Sequence, residues 1–160
     1  GAYFTRGSGH NKFGGYTEDS DAYQEVLDRI LQKWKNAADQ LPRPVIEPAA
    51  KPTKRAILTV GGCDAAVREA IAGMAEDGLH FDYLRVKAFP FHTEVKQFLA
   101  AHDTVFIVEQ NRDGQLRQLL INETEVEKKA LIPILDYSGM PADTGLIARM
   151  ITEHCAGEGK

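Results

Sequence analysis

The sequence has little cysteine, no excess of basic residues and no long apolar segment. Its 160 residues include 2 Cys, and 19 Lys and Arg against 23 Asp and Glu, for a formal net charge of −4. Two thiols are too few for a disulfide framework or a four-thiolate iron–sulfur cluster, and we expect a reducing, cytoplasmic setting. The acidic balance argues against nucleic acid and against membrane surfaces as partners, because both attract clustered Lys and Arg. The apolar runs, such as residues 131–135, are far shorter than the roughly 20 residues that cross a bilayer.

The first 54 residues predict a loop, one helix and a linker. Residues 1–19 are rich in glycine and aromatic side chains and have no helical or strand period. From Ser20 onward, apolar residues recur every three or four positions, which predicts an amphipathic helix ending near Ala38, with Asp19 or Ser20 as its cap. Residues 41–54 carry four of the 7 prolines and predict an extended linker. The chain begins without Met or a signal peptide, and we expect it to be a piece of something longer.

The remaining residues predict a doubly wound α/β domain. Strand-like runs lie at residues 56–60, 81–86, 104–108 and 132–135, and each is followed by a stretch with helical periodicity. Four successive β-α units place the strands in a mostly parallel sheet with helices on both faces. Pro133 removes a backbone donor from the last strand, which predicts that this strand lies at an edge of the sheet or begins at Pro133.

In such a sheet, ligands bind where the strands end. The first strand ends at Gly61-Gly62-Cys63-Asp64, which has two interpretations. Two glycines before a helix could cradle a phosphate, although the G-x-G-x-x-G spacing is missing. Alternatively, the turn is structural and Asp64 caps the helix with its own carboxylate. Cys63 could likewise be a nucleophile with His92 as its base, or a small buried side chain. The five histidines have no metal-ligand spacing, so a zinc site is not supported.

The third strand ends at the most polar of these turns, Glu109-Gln110-Asn111-Arg112-Asp113. Polar groups crowded there must be solvated or satisfied by partners. In one interpretation Asp113 caps the next helix, while Glu109 and Arg112 pair with each other or with neighbouring loops. In the other, the turn is a docking surface for another domain.

Several segments together resemble one enzyme family. They are Tyr3-Phe4-Thr5-Arg6-Gly7-Ser8-Gly9-His10-Asn11, Gly15-Tyr16-Thr17-Glu18, the amphipathic helix, Ile57-Leu58-Thr59-Val60-Gly61-Gly62, Val108-Glu109-Gln110-Asn111-Arg112 and Gly114-Gln115-Leu116. Over essentially its whole length, the chain is similar to the C-terminal part of the alpha subunit of 2-oxoacid:ferredoxin oxidoreductases, especially the 2-oxoglutarate type.

The resemblance implies an enzyme that uses thiamine diphosphate, Mg and a [4Fe-4S] cluster to convert a 2-oxoacid and coenzyme A to acyl-CoA and CO2, or the reverse. Its partners would be the remaining alpha-subunit domains, a beta subunit and ferredoxin. Residues 1–40 would end the preceding domain, residues 41–54 would be the linker, and residues 55–160 would form a transketolase C-terminal-like domain with an assembly role. The chain has no Gly-Asp-Gly motif for thiamine diphosphate, so we expect no catalytic residue and no cofactor in this fragment, and no activity from it alone.

From the resemblance, we expect the candidate residues of this fragment to function in contacts between domains. The candidates are Arg6, His10, Gly61, Gly62, Asp64, Glu109, Asn111 and Arg112. The alternative is a stand-alone doubly wound module that binds a small anion at residues 61–64. A C-terminal domain of a transketolase or a 2-oxoacid dehydrogenase would have the same fold, and fold alone does not distinguish these functions.

Overall fold

The structure is a computed structural model that describes residues 9–157, and its contacts divide the chain after Leu41 into two units. The first unit contains helix α1, Ser20–Ala37, followed by a short 3-10 turn, Ala38–Gln40. Asp19, one of the two predicted caps, caps α1. Its Oδ1 accepts a hydrogen bond from Ala22 N at 2.8 Å. On the apolar face Val26 is buried, whereas five large side chains are exposed: Tyr23, Leu27, Ile30, Leu31 and Trp34.

The loop before α1 is organised by Asn11. The Asn11 Oδ1 accepts hydrogen bonds from Phe13 N and Gly15 N, both at 3.0 Å. Gly14 has a φ of +81°, a conformation that glycine adopts without a steric penalty. His10 and Tyr16 form an antiparallel bridge across this turn. The candidate Arg6 lies outside the described residues, as do Tyr3 and Phe4.

The second unit is a five-stranded sheet with four helices. The strands are β1 Val45–Glu47, β2 Arg55–Val60, β3 Asp82–Val86, β4 Thr104–Glu109 and β5 Leu131–Leu135. The helices are α2 Asp64–Glu76, α3 Thr93–Ala101, α4 Gln115–Thr124 and α5 Thr144–Gly157. The strand order is β1-β3-β2-β4-β5, in which β1 pairs antiparallel with β3 and the other pairs are parallel.

Helices cover both faces of this sheet, as the sequence predicts. On one face, α2 and α5 pack on alternate strand residues such as Ile57, Phe106 and Ile134. On the other, α3 and α4 pack on the intervening residues, such as Leu58 and Ile107. The central strands β2 and β4 are almost fully buried, which explains their continuous apolar runs. The doubly wound, mostly parallel fold is confirmed.

The strand order reverses beside β2. The chain passes from β2 to β3 on one side of β2 and then returns to β4 on its other side. The carboxyl ends of β2 and β4 therefore form the switch point where ligands and partners of such sheets usually bind.

The two edge strands of the sheet are β1 and β5. Strand β5 lies at one edge, as Pro133 predicts. Strand β1 lies at the other edge, with Ile46 opposite Leu84. The sequence analysis did not predict β1, which lies inside the segment interpreted as a linker, because three residues between Pro44 and Pro48 show no strand period. Within residues 9–157, no helix combines the length and the apolar character of a membrane span.

Candidate functional site at the carboxyl edge of the sheet

The switch point brings two of the predicted turns together. Gly61–Cys63 forms a 3-10 turn after β2 and leads directly into α2. A Cβ added to Gly62 would lie 3.6 Å from Gln110 Oε1 of the turn after β4. Gly61 has a φ of +64°, so the turn requires glycine there. We use the term carboxyl edge for residues 60–64, 109–113 and 136–140.

Glu109 is the organising side chain of this edge. It is 2% exposed, and its Oε2 and Oε1 accept hydrogen bonds from Leu116 N at 2.7 Å and Arg117 N at 3.1 Å. These are the free N–H groups at the start of α4, which favour a negative charge. The prediction that Asp113 caps this helix is therefore wrong. Glu109 reaches the helix because the intervening turn folds back through Gly114, whose φ is +64°.

Asn111 and Arg112 have different roles in the same turn. The Asn111 Nδ2 donates to Glu109 Oε2 at 2.5 Å, and its Oδ1 accepts from Asp113 N at 3.1 Å. Arg112 is exposed and pairs with Asp113, with Nε 2.7 Å from Oδ1, and this carboxylate raises the pKa of Arg112. Of the two alternatives for Glu109 and Arg112, pairing with each other is wrong, because the Glu109 carboxylate is bonded to the start of α4.

Asp64 does not cap α2, which corrects the structural interpretation of the first turn. Its Oδ1 accepts from Arg68 Nε at 2.9 Å and from the Tyr83 hydroxyl at 2.5 Å. Its Oδ2 accepts from Arg85 Nη1 at 3.0 Å. The bond from Tyr83, followed by those from the arginines, lowers the pKa of Asp64. Burial, together with the bond to Asp64, raises the pKa of Tyr83.

This arrangement ties the switch point to the sheet edge. Arg68 also donates from Nη1 to Glu47 Oε2 at 2.5 Å, and Arg85 donates from Nη2 to Gly61 O at 3.3 Å. The negative charges of Glu47 and Asp64 and the positive charges of Arg68 and Arg85 therefore balance across β1, α2 and β3. The first turn of α2 has no side-chain cap.

Cys63 is a buried side chain, and its surroundings do not favour a reactive thiolate. It is 2% exposed, and burial raises the pKa of its thiol, which opposes thiolate formation. His92 instead caps α3, accepting from Glu94 N at 3.3 Å through Nδ1. Across residues 9–157, no three His, Cys, Asp or Glu side chains are grouped to hold a metal ion.

The turn after β5 is one of the strand ends where the sequence predicts a site, but the sequence analysis assigned no candidate residue there. Gln110 Nε2 donates to Met140 O at 2.9 Å, which connects that turn to the one after β4. Asp136 is 6% exposed, and its Oδ1 accepts from Ser138 N at 3.1 Å and Ser138 Oγ at 2.8 Å. These bonds lower the pKa of Asp136. The Asp-x-Ser pattern after a strand is a local signal that could have identified Asp136 as the residue that organises this turn.

The outer surface of the carboxyl edge is apolar beside one charged pair. Val60, Tyr137 and Met140 are exposed large side chains. Below this surface, Glu109 accepts hydrogen bonds from Asn111 and from backbone N–H groups of α4, and Asp136 accepts from Ser138. This arrangement suits contact with another protein surface better than chemistry on a small molecule. His10 belongs to the other unit, where its Nδ1 lies 2.8 Å from Asn11 O.

Comparisons with known proteins found relatives among solved structures. A chain of 2-oxoglutarate:ferredoxin oxidoreductase from Magnetococcus marinus, with 2-oxoglutarate, coenzyme A and succinyl-CoA bound, matches with a TM-score of 0.80 and 21% identity. The match covers 95% of this chain and 26% of that chain. The alpha chain of a probable 2-oxoacid ferredoxin oxidoreductase from Thermoplasma acidophilum matches with a TM-score of 0.46 and 27% identity, over 69% of this chain and 95% of that chain. No protein-family model and no curated protein matches.

The first of these matches confirms the fold that the sequence resemblance implies. That neighbour is a 2-oxoglutarate:ferredoxin oxidoreductase, the type of enzyme that the sequence resembles. This chain spans about a quarter of the length of the Magnetococcus chain.

Proposed function

We propose that this chain is the C-terminal part of the alpha subunit of a 2-oxoacid:ferredoxin oxidoreductase of the 2-oxoglutarate type, and that it serves as an assembly domain. The observation that carries the proposal is the match of 95% of this chain, at a TM-score of 0.80, to about one quarter of one chain of such an enzyme. The sequence resemblance supports it from different evidence, because residues 3–34 and 108–112 carry motifs that a common fold does not require.

The complete enzyme would convert a 2-oxoacid and coenzyme A to acyl-CoA and CO2 while reducing ferredoxin, or run in reverse. When bound, thiamine diphosphate with Mg supplies the decarboxylation chemistry and a [4Fe-4S] cluster carries the electrons. The residues of this chain do not fit those groups. The sequence has 2 Cys where the cluster needs four thiolates, and Glu109 and Asp64 are already bonded within the fold. We place the cofactors in the other domains and in the beta subunit.

The proposed role of the carboxyl edge is contact with those parts of the enzyme. Its inner layer is rigid, because Glu109, Asn111 and Asp64 each bond to more than one element. Its outer layer is free for contact, since Arg112 and the side chains of Tyr137 and Met140 are exposed. A rigid base under exposed aromatic, methionine and arginine side chains is typical of protein interfaces.

The proposal is tested by isolating this chain with a tag from the cells that produce it and analysing it by native mass spectrometry. We expect it within a larger complex that reduces ferredoxin when given 2-oxoglutarate and coenzyme A. Recovery of the 160 residues as a free monomer would contradict the proposal.

The contact surface is tested by Arg112→Ala, with Arg149→Ala on α5 as a matched control at another exposed arginine. We expect Arg112→Ala to lower recovery of the complex and to leave the Tm of the isolated chain nearly unchanged, because an exposed pair contributes at most about 1 kcal/mol. An equal loss of Tm and of assembly would show that Arg112 acts within the fold instead.

A second candidate function is small-anion binding at residues 61–64. The observation that favours it is the uncapped start of α2, where the N–H groups of the glycine turn have no side-chain acceptor. Calorimetry of this chain with phosphate, with nucleotides and with coenzyme A separates the two functions, because clear binding by the isolated chain supports the anion site.

A further inference from the structure

Helix α1 is amphipathic, and most of its apolar face is exposed. Of its 18 residues, only Val26 is buried. Five large apolar side chains are between 41% and 56% exposed: Tyr23, Leu27, Ile30, Leu31 and Trp34. Across residues 9–41, the described part of the first unit, there is no second α-helix to cover this face. Helices in proteins take most of their stability from packing such a face, so we expect another surface to cover it.

The exposed side chains have the spacing of a helix-pairing seam. Tyr23, Leu27, Ile30 and Trp34 follow one another at steps of four, three and four residues, which is the a and d spacing of a coiled coil. When two identical helices pair antiparallel, a two-fold axis relates them and the a positions of one face the d positions of the other. Leu27 then faces Ile30 of the second copy, and Tyr23 faces Trp34. This register places the two-fold axis between residues 28 and 29.

The charges of α1 change sign at that same point. Residues 20–28 carry three acidic side chains and no basic one, whereas residues 29–37 carry three basic side chains and no acidic one. Favourable interaction with the helix dipole explains such charges only in the first and last turns, and Asp28 and Arg29 lie in the middle of the helix. An antiparallel second copy places the acidic half of each helix beside the basic half of the other. A parallel copy places like charges together.

We propose that α1 is an interaction surface that pairs antiparallel with α1 of a second copy of this chain. The seam favours a helix as the partner, and the charge pattern favours this same helix, because the centre of the seam and the change of sign coincide. A surface with both properties matches itself after a two-fold rotation. The pairing goes beyond the proposed function, since it involves neither the carboxyl edge nor the reaction of the complete enzyme.

The length of α1 sets the strength of the pairing. Its 18 residues span about 27 Å, and one pair of helices of this length lies at the small end of specific interfaces. We therefore expect a dissociation constant in the micromolar range, on the order of 1 to 100 μM.

The first test is sedimentation velocity of the purified 160-residue chain between about 1 and 300 μM, a range that spans this dissociation constant. We expect a reversible change from monomer to dimer. Leu27→Ala should weaken the dimer by about tenfold or more, because it removes apolar contact in both copies. The matched control is Gln32→Ala on the opposite side of α1, where Gln32 bonds to Asn36, and it should leave the association unchanged.

A monomer at every concentration would overturn the proposal and leave the face of α1 to a segment of a larger protein. A dimer that Leu27→Ala does not weaken would also overturn it. Because this test uses the purified chain alone, either result leaves the proposed function intact.

Charge reversal tests the direction of the pairing. Asp21→Lys with Asp28→Lys makes both halves of α1 basic and should weaken the dimer by about tenfold. Adding Lys33→Glu and Lys35→Glu to the same chain makes the halves opposite again, and we expect the dissociation constant to return to within about threefold of the original. The four changes together oppose the helix dipole at both ends. If the charges act only on the stability of α1, the fourfold variant therefore pairs more weakly than the double variant, which would contradict the antiparallel pairing.

Discussion

Glu109 should be a large contributor to the stability of this fold, although it is an acid in a buried position. Replacement with Ala leaves the N–H groups of Leu116 and Arg117 without an acceptor and releases the Asn111 amide. Bonds to a charged acceptor contribute about 1.5 to 3 kcal/mol each. We use the lower figure for the two backbone bonds, because removal of a buried carboxylate also relieves its desolvation cost. The expected loss is about 3 kcal/mol.

The assay is urea unfolding of the 160-residue chain, followed by circular dichroism. Glu109→Ala should unfold at a lower urea concentration with an unchanged dependence on denaturant. Glu109→Gln should lose about half as much, because one amide oxygen still accepts while its NH2 group faces a donor. The control is Glu123→Ala, an exposed acid on the same helix, for which we expect a change within about 0.5 kcal/mol. A loss below about 1 kcal/mol for Glu109→Ala, or equal losses for both variants, would refute this account of the cap.

Three further results are expected. Because hydrogen bonds lower the pKa of Asp64, its stabilisation is present above about pH 4 and lost as the pH falls through its folded pKa; the advantage of the native chain over Asp64→Asn in urea should shrink in acid, and a constant difference would contradict this. Glu125 has a φ of +59°, so Glu125→Gly should be about 1 kcal/mol more stable than Glu125→Ala in urea, since both lose the Lys96 pair and only Ala keeps the backbone strain; equal stability would contradict this. Burial of Cys63 predicts that an aromatic disulfide reagent labels Cys155 first, as mass spectrometry of the digested chain would show; earlier labelling of Cys63 would contradict it.

The sequence predicts the four parallel strands because each is a short apolar run followed by a helical period. It does not predict β1, since the pairing of Ile46 with Leu84 joins residues far apart in the chain. The same reason explains the wrong cap at α2. Locally, Asp64 is well placed to cap, but Tyr83 and Arg85 come from another strand and offer the carboxylate stronger donors.

The carboxyl edge was predicted in position but not in its bonding. Its location follows from the strand ends alone, and Glu109, Asn111 and Arg112 do lie there together. The cap that Glu109 provides spans seven residues to Leu116, which exceeds the three-residue spacing by which caps are recognised in a sequence. The turn at Gly114 folds back in three dimensions and brings the Glu109 carboxylate to the start of α4.

The two edges of the sheet have a consequence for handling this chain as a separate polypeptide. Exposed strand edges are templates on which proteins aggregate, and natural sheets block them with short strands and proline. Here β5 carries Pro133 in its middle, and β1 has three residues between Pro44 and Pro48. Neither edge offers a long row of free backbone groups to a second molecule. Precipitation during expression should therefore come from the apolar side chains of α1 and of the carboxyl edge, and mild detergent should suppress it more effectively than changes that discourage strand pairing.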